Sequence, residues 1–207
     1  MKPNLEIAII GLVGVVVGAV VTAGLTMIRE WMSERKEQKR NSEYLAILVS
    51  SMLDMYVAGC AEVVSDDGLY HGERNADGYR EIHSTAPSFE PLSVQVEWKS
   101  LPSKLMNEVL SFPLEIEAAK SKIEGAYEYE AAPPDFDEYF AERQYQYALL
   151  GLRAFGLSSS LRRNARLPAR SPSSWNPVEY METEMAKHEK WRTEQEGSHA
   201  ANPLLAL

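Results

Sequence analysis

The sequence contains a single cysteine, Cys60, among its 207 residues. One cysteine forms no intramolecular disulfide and cannot build a thiolate metal site, so we expect Cys60 to be a small buried hydrophobe in a reducing compartment. Basic residues are also in the minority, because 21 lysines and arginines stand against 30 aspartates and glutamates, for a formal net charge of −9. Affinity for a polyanion rests on basic surface, so the composition argues against a general nucleic-acid binder.

Familiar catalytic motifs are absent as well. The sequence has no Gly-x-x-x-x-Gly-Lys-Ser/Thr loop, no His-Glu-x-x-His and no Gly-x-Ser-x-Gly. Glu138 and Glu142 are one helical turn apart with Arg143 beside them, which is more typical of a solvated helix end than of an acid–base pair. We therefore expect no enzymatic activity, no catalytic residue and no cofactor.

A long apolar run near the N-terminus dominates the sequence. Between Leu5 and Ile28 the only ionisable residue is Glu6, at the edge of the run. Roughly 22 apolar residues at 1.5 Å rise span about 33 Å, which matches a bilayer core of ~30 Å. A cleaved signal peptide and a buried helix of a soluble protein are the alternatives. The length favours a permanent transmembrane anchor over residues 1–28.

Basic residues flank this run unequally. Lys2 precedes it, whereas five basic residues follow it: Arg29, Arg35, Lys36, Lys39 and Arg40. Cytoplasmic flanks of membrane spans carry the excess of lysine and arginine. We therefore predict a single-pass protein of the bacterial inner membrane, with the N-terminus outside and the C-terminal domain in the cytoplasm. Trp31 is predicted to sit at the membrane interface, and the lipid bilayer is the first expected partner.

Small residues recur within the span. Gly14, Gly18 and Thr22 follow one another at four-residue spacing. Such a face lets two helices approach closely in lipid, although glycine is also common in membrane spans in general. The pattern predicts a homo-oligomer formed through the membrane helix.

The rest of the chain predicts an all-α fold. The span is expected to continue through a charged juxtamembrane helix at 29–43 into a cytosolic helical domain at 44–196. That domain opens with a second apolar stretch that contains Asp54, which would cost about 2.5–3.5 kcal/mol at the centre of a membrane span. We assign this stretch to the core of a helical bundle. A loop at 65–94 and a flexible tail at 197–207 complete the expected layout.

Three later helices are indicated by proline and capping patterns. The first contains Pro113 and is expected to be bent or divided there. The second is predicted to begin with Asp135 as its N-cap, with Glu138 three residues on. The third is predicted to begin with Asn176 as N-cap and Pro177 at the first helical position, and His188 is expected on its core-facing stripe. A strand-like pattern occurs only at Leu92–Trp98.

The polar loop carries part of a calcium-loop pattern. Glu73, Asn75, Asp77 and Gly78 fit the front of a calcium loop, but Ser84 occupies the position where that loop requires glutamate. The turn-forming Asp-Gly pairs favour a solvated loop without a metal.

The segments "DEYFAERQYQYALLGLRAFGLSSSLR" and "WNPVEYM", together with the "DDGL" loop and the N-terminal span, give the chain a recognisable layout. In this layout it resembles an uncharacterised family of small bacterial membrane-anchored proteins. The resemblance implies an inner-membrane protein with a helical cytosolic domain, and it carries over no catalytic residue.

Two functions follow from these patterns. The first is a membrane-anchored interaction or scaffold module that binds an unidentified protein partner or self-associates in a bacterial membrane or defence-related complex. The alternative is a spanin-like phage lysis accessory, which would require a periplasmic body. A basic segment near the end of the second later helix is expected to contact anionic lipid headgroups or to be a solvated helix end: Arg153, Arg162, Arg163, Arg166 and Arg170.

Overall fold

The computed structural model describes the backbone of residues 3–170 and 175–201, with side chains for Thr22, residues 25–170 and 175–191, and Thr193. It has four helices: α1 (Pro3–Ser65), α2 (Ser103–Tyr129), α3 (Asp137–Asn164) and α4 (Pro177–Ala201). The described residues contain no strand, so the all-α prediction is confirmed. The segment with the strand-like pattern lies across two 3₁₀ turns, Pro91–Ser93 and Trp98–Ser100.

Helix α1 runs without a break for 63 residues, as the lack of internal proline predicts. Its side chains are exposed from Leu25 to Arg40, and burial begins at Ser42. From Leu45 onward, buried residues recur every three or four positions and form one core-facing stripe. That stripe consists of Leu45, Val49, Leu53, Tyr56, Val57, Cys60 and Val64.

Helix α3 lies at the centre of the bundle, where it contacts α1, α2 and α4. Helix α2 remains one continuous helix through Pro113. Its neighbour Phe112 is fully buried and packs edge-to-face on Tyr56 of α1, with ring centroids 5.4 Å apart. Phe89, from the segment before α2, packs on both rings. This aromatic cluster joins α1, α2 and the loop in a single core.

The two predicted caps had different outcomes. At α4, the Asn176 side chain accepts a 3.2 Å hydrogen bond from the backbone N–H of Val178, which confirms the cap. At α3, the prediction of Asp135 as N-cap is wrong. The helix starts after Phe136, which has a left-handed backbone (φ 52°) and forms no side-chain cap. The Asp135 carboxylate instead pairs with Arg74, so the ion pair has replaced the cap.

Helix α4 extends to Ala201, inside the segment predicted as a tail. Its described stripe packs on the bundle as expected: Met181 is fully buried and Met185 is partly buried against the core. Cys60 is also fully buried, as predicted, and burial raises the pKa of its thiol. A protonated, inaccessible thiol is chemically inert.

Candidate functional site

A groove of about 600 Å³ lies between α2, α3 and the loop segment that leads from Arg80 to Ala86. We call it the aromatic groove, because five of its lining residues are aromatic: Tyr127, Phe136, Tyr139, Phe140 and Tyr147. Tyr127 stacks on Phe136 with ring centroids 5.9 Å apart and meets Tyr139 edge-to-face at 5.3 Å. Tyr127 is 55% exposed, so part of this surface is open to a ligand.

The cations that line the aromatic groove are already paired. Arg80 lies 3.0 Å from a carboxylate oxygen of Asp137. Lys120 lies 2.8 Å from Glu117, and Arg143 contacts Asp66 at 3.2 Å. Burial raises the pKa of the Tyr139 and Tyr147 phenols, so both stay neutral. The lining also includes the exposed carboxylates Glu124 and Glu128. The groove therefore combines an aromatic surface with acidic side chains and does not suit a free anion.

Beneath the groove, Asp66 holds the start of the polar loop against α3. One carboxylate oxygen accepts hydrogen bonds from the backbone N–H groups of His83 (2.9 Å) and Ser84 (2.8 Å) and from the Ser84 hydroxyl (2.8 Å). Arg143 donates to the same oxygen at 3.2 Å and to the Ser84 carbonyl at 2.9 Å. The other oxygen accepts from the Gly68 N–H at 3.1 Å. Asp66 and Arg143 form a buried latch between loop and helix.

The electrostatics of this latch argue for a structural role. Burial alone would raise the pKa of Asp66, but the hydrogen bonds from Ser84, His83 and Gly68 outweigh it and lower the pKa. A carboxylate that already accepts this many hydrogen bonds is a weak general base. The Ser84 hydroxyl donates to it and receives no activation as a nucleophile. The geometry thus supports loop positioning and shows no catalytic arrangement among these residues.

Sequence reasoning treated Arg143 only as a neighbour of two glutamates and missed this role. Arg143 is buried between Phe140 and Tyr147, on the stripe of α3 that faces the core. A charged residue on an apolar stripe needs a buried partner, and that was the available signal. Its partner Asp66 lies 77 positions away, at a distance that no helical spacing indicates.

A second cavity, of about 700 Å³, lies where α1 leaves the bundle. Its walls are α1 around Arg35 and Lys39, the turn at Ser100–Pro102, and the end of α3 with Arg166. On its floor the Asn164 amide donates a 3.3 Å hydrogen bond to the buried Ser42 hydroxyl. We call this cavity the juxtamembrane cleft, after the α1 segment that forms one wall.

The predicted interface residues follow one another on the exposed part of α1. Arg35 lies over the Trp31 ring, 3.7 Å from its centroid, in a cation–π contact. Arg29, Lys36 and Arg40 are exposed, and Lys39 lies 3.6 Å from Glu43. Gly14 and Gly18 belong to α1 but lie outside the residues whose surroundings are described. Thr22 is exposed, and its carbonyl accepts a 2.9 Å hydrogen bond from the Thr26 hydroxyl.

The basic segment of α3 is divided by its partners. Arg162 is bound to Asp54, and Arg153 lies 3.4 Å from Glu115. Arg163, Arg166 and Arg170 are exposed. The expected contact with anionic lipid is therefore restricted to the end of the helix.

The polar loop is organised by backbone turns. The Asn75 side chain accepts hydrogen bonds from the backbone N–H groups of Asp77 (3.1 Å) and Tyr79 (2.9 Å). A Tyr70–Glu73 bridge closes the preceding turn. Within the side chains that the structure describes, no group of three or more His, Cys, Asp or Glu residues is placed to hold a metal ion.

Helix α1 is long and apolar enough to cross a membrane near the N-terminus, judged over the described stretch Leu25–Ser65. Half of the apolar window that meets this criterion is buried inside the protein, as in a core helix. The criterion is therefore met partly by core residues, and the case for an anchor depends on the apolar run that precedes them.

Comparison with known proteins adds no family to this description. The resemblance drawn from the sequence stays a prediction. No family model, no curated protein and no solved structure matches the chain.

Proposed function

We propose that the protein is a single-pass membrane-anchored interaction module, tethered through the apolar half of α1, with its helical bundle in the cytoplasm of a bacterial cell. One observation carries the proposal: the same helix is exposed from Leu25 to Arg40 and forms the central helix of the core from Ser42 onward. A helix of this kind holds a folded body at a fixed distance from whatever its other end is embedded in.

The exposed part of α1 carries large apolar side chains that the bundle leaves open to solvent. Met27 is 71% exposed, and four neighbours are about half exposed or more: Leu25, Ile28, Trp31 and Met32. Burial of apolar surface stabilises by about 25 cal/mol per Å², so leaving these side chains in water is unfavourable. Lipid chains and the headgroup boundary would cover them, with Trp31 in the position that interfacial aromatic residues prefer.

The aromatic groove is the surface on which we expect a protein partner to bind. Its cations are neutralised internally, and its exposed centre is a tyrosine, the residue type enriched at the energetic centres of interfaces. An aliphatic or aromatic side chain of the partner would cover the aromatic rings, and a basic side chain beside it would pair with Glu124 or Glu128. Self-association through Gly14, Gly18 and Thr22 would give each assembly two or more such grooves.

The anchor is tested by fractionation of the full-length protein from cells. We expect it to stay in the membrane pellet through carbonate and high salt, because breaking ionic contacts does not displace ~22 apolar residues from lipid. A chain that starts at Asn41 is the control and should be soluble. Release of the intact full-length protein would refute the anchor. A mature N-terminus at Gly24 would show a cleaved signal peptide instead.

The orientation is tested with a C-terminal reporter. Five basic residues follow the apolar run, so a reporter that works only in the cytoplasm should be active. Activity of a periplasm-only reporter would refute the cytoplasmic location and favour the spanin-like alternative.

The groove is tested by photo-crosslinking in cells. A photoreactive phenylalanine at Tyr127 should crosslink to a partner, whereas the same residue at Tyr129 should not. Tyr129 lies on the same helix and is 84% exposed, but it does not line the groove, so it controls for accessibility. Equal crosslinking from both positions, or none from Tyr127, would remove the groove from the proposal.

A further inference from the structure

We propose that the juxtamembrane cleft binds the phosphate-bearing headgroup of an anionic phospholipid. The inference rests on the membrane anchor proposed above, because the anchor fixes which end of the bundle faces the bilayer. It goes further in assigning a built site, with named residues, to one chemical class of lipid.

The position of the cleft follows from helix geometry. Arg35 lies about 10 Å beyond Ile28 along the axis of α1, and Lys39 about 16 Å beyond it. The headgroup layer of one leaflet is about 5–8 Å thick. Side chains of a helix tilt toward its N-terminus, and long basic side chains extend further to reach a charged partner. Arg35 lies over Trp31, one turn nearer the N-terminus, and so points toward the headgroup layer. The Lys39 ammonium lies 3.6 Å from Glu43, one turn further from the membrane, and would turn away from Glu43 to bind a headgroup.

The charge of the cleft distinguishes it from the aromatic groove. Three cations line it: Arg35, Lys39 and Arg166. Glu43 is the one acidic side chain among its lining residues, and it lies 3.6 Å from Lys39. Arg166 forms no ion pair with any residue whose side chain the structure describes. The cleft thus carries an excess of positive charge, which a phosphate would neutralise with charge-assisted hydrogen bonds.

The backbone holds Arg166 in place. The Arg166 N–H bonds to the Arg163 carbonyl at 3.2 Å, and the Leu167 N–H bonds to the Arg162 carbonyl at 2.9 Å. These two bonds define the Schellman ending of a helix, in which glycine usually occupies the left-handed position. Here an arginine occupies it, with φ 56°. A strained non-glycine residue of this kind is typical of functional sites, and in this one its guanidinium lines the cleft.

The floor of the cleft is polar and preorganised. Ser42 and Ser100 are buried, and the Ser42 hydroxyl accepts a hydrogen bond from Asn164. A headgroup that enters the cleft would therefore meet polar groups below and cations on two walls. Because one wall belongs to α1 and the other to α3, the site exists only in the folded bundle.

The test measures lipid binding by the full-length protein, purified in detergent, stripped of lipid and then titrated with phosphatidylglycerol or phosphatidylcholine under native mass spectrometry. The cleft variant combines Arg35→Gln, Lys39→Gln and Arg166→Gly. The matched control combines Lys36→Gln, Arg40→Gln and Arg163→Gln, which removes the same charge from neighbouring positions outside the cleft. Both variants lose the same general attraction to anionic lipid.

We expect the unmodified protein to bind phosphatidylglycerol more tightly than phosphatidylcholine. The ratio of the two affinities should fall about tenfold further in the cleft variant than in the control. Equal loss in both variants would overturn the proposal in favour of diffuse attraction. A protein without preference for phosphatidylglycerol would overturn it as well. Inorganic phosphate is titrated in the same way. If it binds through the cleft residues while the protein shows no preference between the two lipids, the site belongs to a soluble ion and the lipid assignment is overturned.

Two further measurements separate this proposal from its premise. Carbonate extraction of the unmodified protein reports on the anchor, and lipid titration reports on the cleft, so each is able to fail alone. The single variant Arg166→Gly guards against misfolding, because glycine suits the left-handed position and the melting temperature should not fall. Loss of lipid preference at an unchanged melting temperature supports the site. Retention of that preference refutes a role for Arg166.

Discussion

Arg162 of α3 donates a 2.7 Å hydrogen bond to the carboxylate of Asp54 on α1. Ser158, one turn earlier on α3, donates to the other carboxylate oxygen at 2.8 Å. The pair is partly buried, with 16% of the Asp54 side chain and 21% of the Arg162 side chain exposed. The charge that made the second apolar stretch unsuitable for a membrane span is therefore the group that binds α1 to α3.

Removing either partner of this pair should destabilise the bundle. We expect Asp54→Ala and Arg162→Ala each to lower the free energy of unfolding by about 1–3 kcal/mol, because each leaves a partly buried polar group without its partner. The double variant should cost less than the sum of the two. Urea unfolding followed by circular dichroism gives all three values. Lys187→Ala, which breaks an exposed ion pair with Glu184, is the control and should have no measurable effect. Strict additivity would mean that the pair contributes nothing.

The Asp66 latch should make stability depend on pH in the acidic range. The folded-state pKa of Asp66 is lowered, so its contribution is present above the ordinary carboxyl pKa and is lost as the pH falls through the lower folded value. We expect the urea concentration at the midpoint of unfolding to decrease as the pH is lowered below about 4. Asp66→Asn should remove that part of the dependence and cost about 3–5 kcal/mol at neutral pH, because Arg143 is left buried and unpaired. If the stability of Asp66→Asn falls at acidic pH as steeply as that of the unmodified protein, other carboxylates are responsible for the pH dependence.

Gly68 should be the glycine of the loop least tolerant of substitution. Its φ is +77°, and an added methyl group would overlap the Phe140 ring. Gly78 has a similar φ of +83° but open space around it. We expect Gly78→Ala to cost about 1 kcal/mol, from the left-handed backbone alone, and Gly68→Ala to cost about 1–3 kcal/mol more from overpacking. Thermal unfolding compares the two. Equal losses would mean that the ring moves aside freely.

The small-residue face of the membrane helix is tested by Gly14→Ile together with Gly18→Ile. The added side chains hold two backbones apart while the segment stays apolar, so insertion should survive and association should fail. Crosslinking in membranes reports the oligomer. Leu12→Ile with Val16→Ile is a control that keeps the glycines. The same oligomer in the glycine variant would place assembly elsewhere, and a monomeric unmodified protein would remove self-association from the proposal.

Local patterns predicted much of the fold. The absence of proline between Met27 and Val64 predicted that the first helix continues beyond the apolar run, and Asn176 with Pro177 predicted the start of α4, since both depend only on neighbours in sequence. Asp135 was misassigned because its partner, Arg74, lies 61 positions earlier in the loop. An ion pair between distant segments overrode a local capping pattern.

The candidate sites were less predictable than the helices. The basic residues of α1 were identified as a membrane flank, but the cleft also needs Arg166, which folding brings to them from the far end of α3. Phe140 and Tyr147 both pack in the interior and also line the groove. A groove is formed by the gap between elements, and the gap is not encoded in the spacing within any one of them.

The unbroken course of α1 has a rotational consequence. A helix advances about 100° and 1.5 Å per residue, so the direction in which the aromatic groove faces is locked to the angular position of the N-terminal end of the same helix. One residue inserted between Arg29 and Arg40 would turn the groove by about 100°, whereas seven would return it to within about 20° of its original bearing while moving it ~10 Å outward. The number of residues in the exposed stretch of α1 therefore sets the rotation angle between the N-terminal end of the helix and the bundle.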